Sequence, residues 1–525
     1  MDKTQARRIK RIQKSKINTT VTLVTSIVMG VLSFLERSVF NHCFIADYLG
    51  LYSFYYNVIG ILSTIELGLM SAISFALYAP IEYQQYDQIA AIMKLFKRAY
   101  IVLGTIILIV GLALFPVLEH LTNTEIPIEL VQFYFLFFLG KTVINFYFGY
   151  KGILVTANQN QYKITLLTNS IWSILYLAEM IISITTGNFF YYVLAIFIAD
   201  TIRALLVNIL GRLEFPMLGN YKNARLKKDT IRVIIRNIKG LMITRLSSVL
   251  VSTTDSILIS AMVGTAFLGK YSNYQMIVTG LVSVSALIPQ SIGASIGNAG
   301  VTERKRDLAK SFESLNLGSF LIYGFFSILL INIINPIIAL FFGPDRTIGM
   351  FSVMLICINF YLANQREIIL TFKGSLGLYW EDRKRPLIEG LTNLIVSIAL
   401  GKYWGFDGII IGTIISQVCV NLVIEPRVIY HQGLRSSAFW YYITVIGRFI
   451  LTLAVAIICF VINSYIPFTG IMEIITKAIT TSLITIFIFY IVYRNDENAV
   501  TIIRTLKIAF MDKRKLKKLE KADQE

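Results

Sequence analysis

Residues 36–55 read ERSVFNHCFIADYLGLYSFY and residues 255–274 read DSILISAMVGTAFLGKYSNY. At an offset of 219 residues and without a gap, Leu49, Gly50, Tyr52, Ser53 and Tyr55 fall on Leu268, Gly269, Tyr271, Ser272 and Tyr274, and the acid Glu36 falls on the acid Asp255. Two further matches recur at nearly the same offset: Pro116 with Pro336, and Lys151-Gly152 with Lys373-Gly374. An internal repeat of this size predicts two bundles that rock against each other around a site between them, which makes transport the leading functional class.

Composition points the same way. The chain has 525 residues, of which 55% are hydrophobic and 15% charged. Its mean hydropathy of +0.66 is that of a polytopic membrane protein. At about 20 apolar residues per crossing, the sequence predicts an all-α protein of 14 transmembrane helices. It divides into a basic N-terminus (1–16), an N-lobe of six spans (17–211), a basic linker (212–239), a C-lobe of six spans (240–426), an unduplicated pair of spans (427–493) and a basic tail (494–525). The opening apolar run follows a basic segment without a small-residue cleavage site, so it is expected to stay as the first span. Lys270, Arg346 and Lys402 are the Lys and Arg residues expected on one face of the membrane. The clusters at the termini and between even and odd spans fall on the other face, which places both termini in the cytoplasm by the positive-inside rule. The net charge of +18 is therefore mainly a topology signal rather than a nucleic-acid footprint. Segments 83–98 and 301–315 look amphipathic and are expected to be short surface helices in matching places of the two halves.

The four cysteines (Cys43, Cys357, Cys419, Cys459) and three histidines (His42, His120, His431) have no paired or ligand spacing, so neither a disulfide framework nor a metal site is expected. Phosphate-loop, zinc-protease and nucleophile-elbow motifs are missing, and the expectation is a transporter without enzymatic chemistry.

Ionisable residues inside spans are costly at about 2.5–3.5 kcal/mol each and are functional candidates by default. The acids are Glu36, Glu66, Glu179, Asp200, Asp255, Glu367 and Glu389; the bases are Arg37, Lys141, Arg203, Arg245, Arg366, Arg448 and Lys477. Asp200 and Arg203 are spaced to pair on one helical face. Arg448 and Lys477 are expected to snorkel from helix ends, and Glu389 to sit wet at a cytoplasmic end. Arg37, Lys141, Arg245 and Arg366 lie on equivalent spans of the two halves. They either line a cavity that holds a phosphate or pyrophosphate through charge-assisted hydrogen bonds, or pair with Glu36, Glu179, Asp255 or Glu367. Those four acids are the candidates for ion coupling, by uptake of a proton or Na⁺. Tyr52, Tyr55, Tyr56, Tyr271 and Tyr274 offer a sugar-compatible surface or an interfacial belt.

Several stretches resemble the bacterial polysaccharide flippases of the Wzx type, within the multidrug/oligosaccharidyl-lipid/polysaccharide (MOP) exporter superfamily. In the first half these are Arg37-Ser38-Val39-Phe40, Tyr48-Leu49-Gly50, Glu66-Leu67-Gly68 and Leu77-Tyr78-Ala79-Pro80; in the second, Thr254-Asp255, Leu268 to Ser272, Glu389 to Asn393 and Gly405 to Gly408. The resemblance covers residues 17–495. It implies two six-helix lobes around a cationic cavity, alternating access, and movement of an undecaprenyl-pyrophosphate-linked oligosaccharide from the inner to the outer leaflet of the bacterial cytoplasmic membrane. It places Arg37, Arg245 and Arg366 against the diphosphate. It also implies no cofactor beyond an H⁺ or Na⁺ gradient or the membrane potential, a monomer, and a polysaccharide polymerase and glycosyltransferases as partners. Two other readings stay open: a cation-coupled multidrug or small-molecule exporter of the same fold, and a membrane scaffold for glycosyltransferases acting through the basic linker and tail.

Overall fold

The computed structural model of the protein describes residues 3–63, 65–221, 224–226, 231–232, 235, 253–285, 287–378 and 381–510. All regular secondary structure among them is helical. The chain forms two compact units, Met1–Asn273 and Tyr274–Glu525.

In the first unit, α1 (Lys3–Cys43) is followed by α2 (Ala46–Ser63), α3 (Ile65–Glu82) and α4 (Tyr86–Ala113). A short α5 (Leu118–Leu121) leads to α6 (Ile128–Phe148), α7 (Gly152–Ala157), α8 (Gln161–Thr186) and α9 (Phe189–Glu214). The helical residues 253–262, called α10, and the start of α11 (Thr265–Ser285) complete it. Helices α1 and α8 run parallel, joined at a constant separation of 144 residues. Lys14 Nζ donates to the Asn158 carbonyl at 2.9 Å, the Tyr162 amide to Asn18 Oδ1 at 2.8 Å, and Asn169 Nδ2 to Thr25 Oγ1 at 2.7 Å. In lipid, where helices gain little from burying apolar surface against each other, such polar ladders fix register.

The two copies of the repeat touch through matched positions. A methyl group on Gly50 would overlap the Thr265 carbonyl oxygen, and one on Gly269 would overlap the Ala46 carbonyl oxygen. The offset of 219 residues converts one contact into the other. Glycine is needed at both places because each backbone lies where a Cβ would sit. Asp47 Oδ1 accepts from Thr265 Oγ1 (2.6 Å) and Thr124 Oγ1 (2.8 Å) beside this contact. The amides of Asn41 and Asn273 donate to each other at 3.1 and 2.9 Å.

In the second unit, α12 (Leu287–Thr302), α13 (Lys305–Phe342), α14 (Met350–Gln365) and α15 (Glu367–Ser375) precede α16 (Arg385–Ser416). Gly405 (φ 55°) folds α16 back on itself. Ser397 Oγ then bonds the Ile409 carbonyl (3.0 Å) and Asn393 Nδ2 bonds Thr413 Oγ1 (2.9 Å), the pattern of an antiparallel hairpin and hence of two crossings. Two wide π-turns, Gln417–Asn421 and Ile429–Leu434, flank α17 (Leu422–Val428). Last come α18 (Phe439–Ser464), α19 (Ile471–Tyr493) and α20 (Glu497–Phe510). The first two pack on α13 around Phe320, Tyr361, Val455 and Phe489.

Among the described residues ten helices are long and apolar enough to cross a membrane, the folded-back Arg385–Leu434 being one of them. The remaining expected crossings contain residues outside the described set: residue 64 between α2 and α3, residue 286 between α11 and α12, and most of 240–264. The protein is thus an all-α, multi-pass membrane protein. The amphipathic segments are not separate surface helices. Residues 86–98 are the first turns of α4 and 305–315 those of α13, because apolar positions such as Ile89, Ile92, Phe96 and Tyr100 keep their helical spacing without a break into the apolar stretch. Nor does Arg448 snorkel. It is buried, with its guanidinium 5.4 Å from the Phe320 ring, while Lys477 pairs with Glu473 at 2.7 Å.

Candidate functional site

In the first unit, α1, α6, α8 and α9 bring charged side chains together between them. Glu36 is buried and accepts from Tyr192 Oη at 2.7 Å. Its neighbour Arg37 is half-buried, donates from Nη1 to Ser272 Oγ at 3.2 Å, and lies 5.9 Å from the Tyr52 ring. Lys141 on α6 pairs with Asp200 on α9 at 3.1 Å and stands 4.9 Å from the Phe138 ring. Arg203 shares that carboxylate at 3.0 Å, as its spacing predicts, and reaches Asn145 at 3.2 Å.

Glu179 on α8 is 2% exposed and its Oε2 has no hydrogen-bond partner among the described residues. Its charged neighbours are Glu36, Lys141, Arg37 and Asp200. The α1–α8 ladder accounts for the meeting of Glu36 and Glu179, since parallel helices at that register bring these two positions to the same height. Asp200 is thus shared by two cations, and Arg37 has no carboxylate within ion-pair distance among the described residues. A guanidinium presents five N–H donors, and one in a polar, partly water-excluded setting with no carboxylate at ion-pair distance has donors to offer an anionic guest.

The second unit holds a different arrangement. Glu425 is 1% exposed and receives Arg366 through both nitrogens of a bidentate fork (2.6 and 3.0 Å), Arg385 at 3.1 Å and Lys373 at 3.6 Å. Arg385 also reaches Glu389 (2.6 Å), Asp382 (2.9 Å) and Asn421 (2.7 Å), and Lys373 reaches Asp382 at 2.5 Å. Three cations and three carboxylates form a closed set. Such sets survive burial only when each member has partners.

The candidate residues therefore separate. Arg37, Lys141, Glu36 and Glu179 are brought together in the first unit. Arg366 is in the second, held by Glu425 and at 3.4 Å by Glu389 rather than by Glu367, which lies half-buried at the first turn of α15. Asp255 is half-buried on α10, and Arg245 lies outside the described residues. Glu389 is not wet but buried within the network. Glu425, Asp382 and Arg385 were not singled out in the sequence, although the i, i+3 and i, i+4 spacing of Asp382, Arg385 and Glu389 is a readable pairing signal. Glu425, next to Pro426 at the end of an apolar run, gives none. It is framed by the two π-turns, irregularities that often mark functional positions.

No family model and no curated protein matches the sequence. Solved structures do match in fold. The lipid II flippase MurJ in an inward closed conformation superposes with a TM-score of 0.66 at 13% identity, covering 91% of this chain and 99% of that one. A multidrug resistance MATE family transporter of the MOP superfamily superposes in its inward-facing conformation with a TM-score of 0.59 at 12% identity, covering 79% and 99%. Its class in an outward-facing conformation gives 0.51 at 14% identity, covering 80% and 97%. The fold is thus that of polytopic membrane transporters. It is a fold that this chain shares with a lipid II flippase and with multidrug resistance transporters.

Proposed function

We propose that this protein is a flippase for an undecaprenyl-pyrophosphate-linked oligosaccharide, moving it from the inner to the outer leaflet by alternating access. The observation that carries the reading is Arg37, an intramembrane guanidinium with a hydroxyl and an aromatic face beside it but no carboxylate within ion-pair distance among the described residues. It serves as the diphosphate contact, with Tyr52 and Tyr176 as neighbouring surfaces for sugar rings. Lys141 contributes positive charge that Asp200 holds in place. Glu36 and Glu179 are the coupling pair: two buried carboxylates side by side, one oxygen unpartnered, favour taking up a proton or a small cation. Polysaccharide polymerase and glycosyltransferases are the partners this reading calls for, at the bacterial cytoplasmic membrane with both termini inside.

A second reading, a cation-coupled multidrug exporter, is favoured by Glu179 itself, since a buried carboxylate with an unpartnered oxygen among the described residues, beside aromatic rings, also suits an organic cation. Transport assays in proteoliposomes separate the two. Movement of a polyprenyl-diphosphate glycan that is lost in Arg37→Ala supports the flippase; drug efflux driven by a proton or Na⁺ gradient and unaffected by Arg37→Ala supports the exporter.

A further inference from the structure

A cavity of about 910 Å³ lies in the second unit, and none of its lining residues belongs to the Glu425 network. It is a slot running along α13 from Leu308 to Tyr323, a helical path of about 22 Å, between α12, α15 and α20. Its surface is mainly apolar, with Ile292, Ile296, Leu315 and Phe372 among the lining residues and the hydroxyls of Ser295, Ser311 and Ser314 between them. Ser319 Oγ opens onto it, 94% buried as a residue and without a hydrogen-bond partner among the described residues. Helix α20 roofs it. Asp496 Oδ1 caps that helix by accepting from the Asn498 amide at 2.7 Å, and Ser314 Oγ pins it by donating to Asn498 Oδ1 at 2.8 Å.

Charge is confined to the mouth, where Glu303, Glu313, Glu497 and Lys310 stand exposed. An apolar slot of this length within a membrane-spanning helix fits hydrocarbon chain. A mouth of three carboxylates and one ammonium fits a headgroup that carries an amine and a single phosphate, and it repels a diphosphate or a net-anionic headgroup. We infer that this slot binds a zwitterionic, amine-bearing phospholipid of the bilayer, chain inward along α13, its ammonium among Glu303, Glu313 and Glu497 and its phosphate near Lys310. None of its lining residues belongs to the Arg37 cluster, and lipid binding there does not depend on what the protein transports.

The test uses the full-length protein in nanodiscs of equal phosphatidylethanolamine and phosphatidylglycerol, with retained lipid read by native mass spectrometry. The wild type should retain the ethanolamine lipid over the glycerol lipid by about fivefold, the size of effect that one or two exposed ion pairs give. The triple variant Glu303→Gln, Glu313→Gln, Glu497→Gln should bring the ratio near parity. Gly318→Phe, which fills the slot from α13, should lose bound lipid of either kind. Equal retention of the two lipids by the wild type overturns the headgroup assignment. Retention unchanged in Gly318→Phe, or displacement of the ethanolamine lipid by added polyprenyl phosphate, overturns the slot assignment. Should Gly318→Phe fail to fold, the triple variant still decides.

Discussion

The polar centre of the first unit and that of the second use similar side chains to opposite effect. Around Glu425 every cation has a carboxylate and Glu425 serves three of them, so the set is satisfied without a guest. Around Glu179 the pairing is uneven: Asp200 takes both Lys141 and Arg203, leaving Arg37 with a hydroxyl and Glu179 Oε2 with nothing among the described residues. Since partnerless buried charge costs several kcal/mol in a low-dielectric setting, the Glu425 arrangement reads as structure held for stability, and the Glu179 arrangement as a site whose missing partner is an ion or a substrate.

The comparison can be broken by mutation. The largest effect is expected at Glu425. Glu425→Ala leaves three buried cations competing for two carboxylates and should destabilise the protein by about 3–5 kcal/mol, seen as a fall in thermal midpoint and in folded yield in detergent. Glu179→Gln removes a charge with no partner to lose, so it should leave the melting curve within about 1 kcal/mol of wild type or raise it, while abolishing gradient-dependent transport. Equal destabilisation by the two variants would erase the distinction between the centres. At the contact between repeats, Gly50→Ala and Gly269→Ala should each cost about 1–3 kcal/mol by overpacking, and by similar amounts, because one contact is the repeat image of the other; a large cost at one and none at the other would show the symmetry to be accidental. Smallest is Lys163→Ala, in the first turn of α8. Its ion pair with Glu214 (2.8 Å) leaves the lysine side chain 36% exposed, and the loss should stay under about 1 kcal/mol.

The sequence made the membrane class, the duplication and the crossings legible, because hydropathy and the repeated Leu-Gly-x-Tyr-Ser-x-Tyr need only local reading. It also singled out Arg37, Lys141, Glu36 and Glu179, since an ion within an apolar run stands out wherever it points. Partners were another matter. Lys141 with Asp200 and Arg366 with Glu425 join residues 59 positions apart, and no local pattern distinguishes Glu425 from an acid at a wet helix end. The same holds for the glycine contacts. The repeat shows that Gly50 and Gly269 correspond, but only the packed helices show that each lies on a carbonyl of the other copy. The amphipathic stretches at 83–98 and 301–315 run on into α4 and α13, which charge on one face does not reveal, since it announces a surface without saying whether the helix continues past it.

The most direct test of the account is native mass spectrometry of the protein purified from its own host, comparing wild type with Arg37→Ala and Arg366→Ala, each checked for its melting curve. The account predicts a polyprenyl-diphosphate glycan on the wild type, its loss from a normally folded Arg37→Ala, and a lowered melting point for Arg366→Ala from the carboxylates it strands. A glycan retained at wild-type level by Arg37→Ala would contradict the claim that this arginine holds the diphosphate.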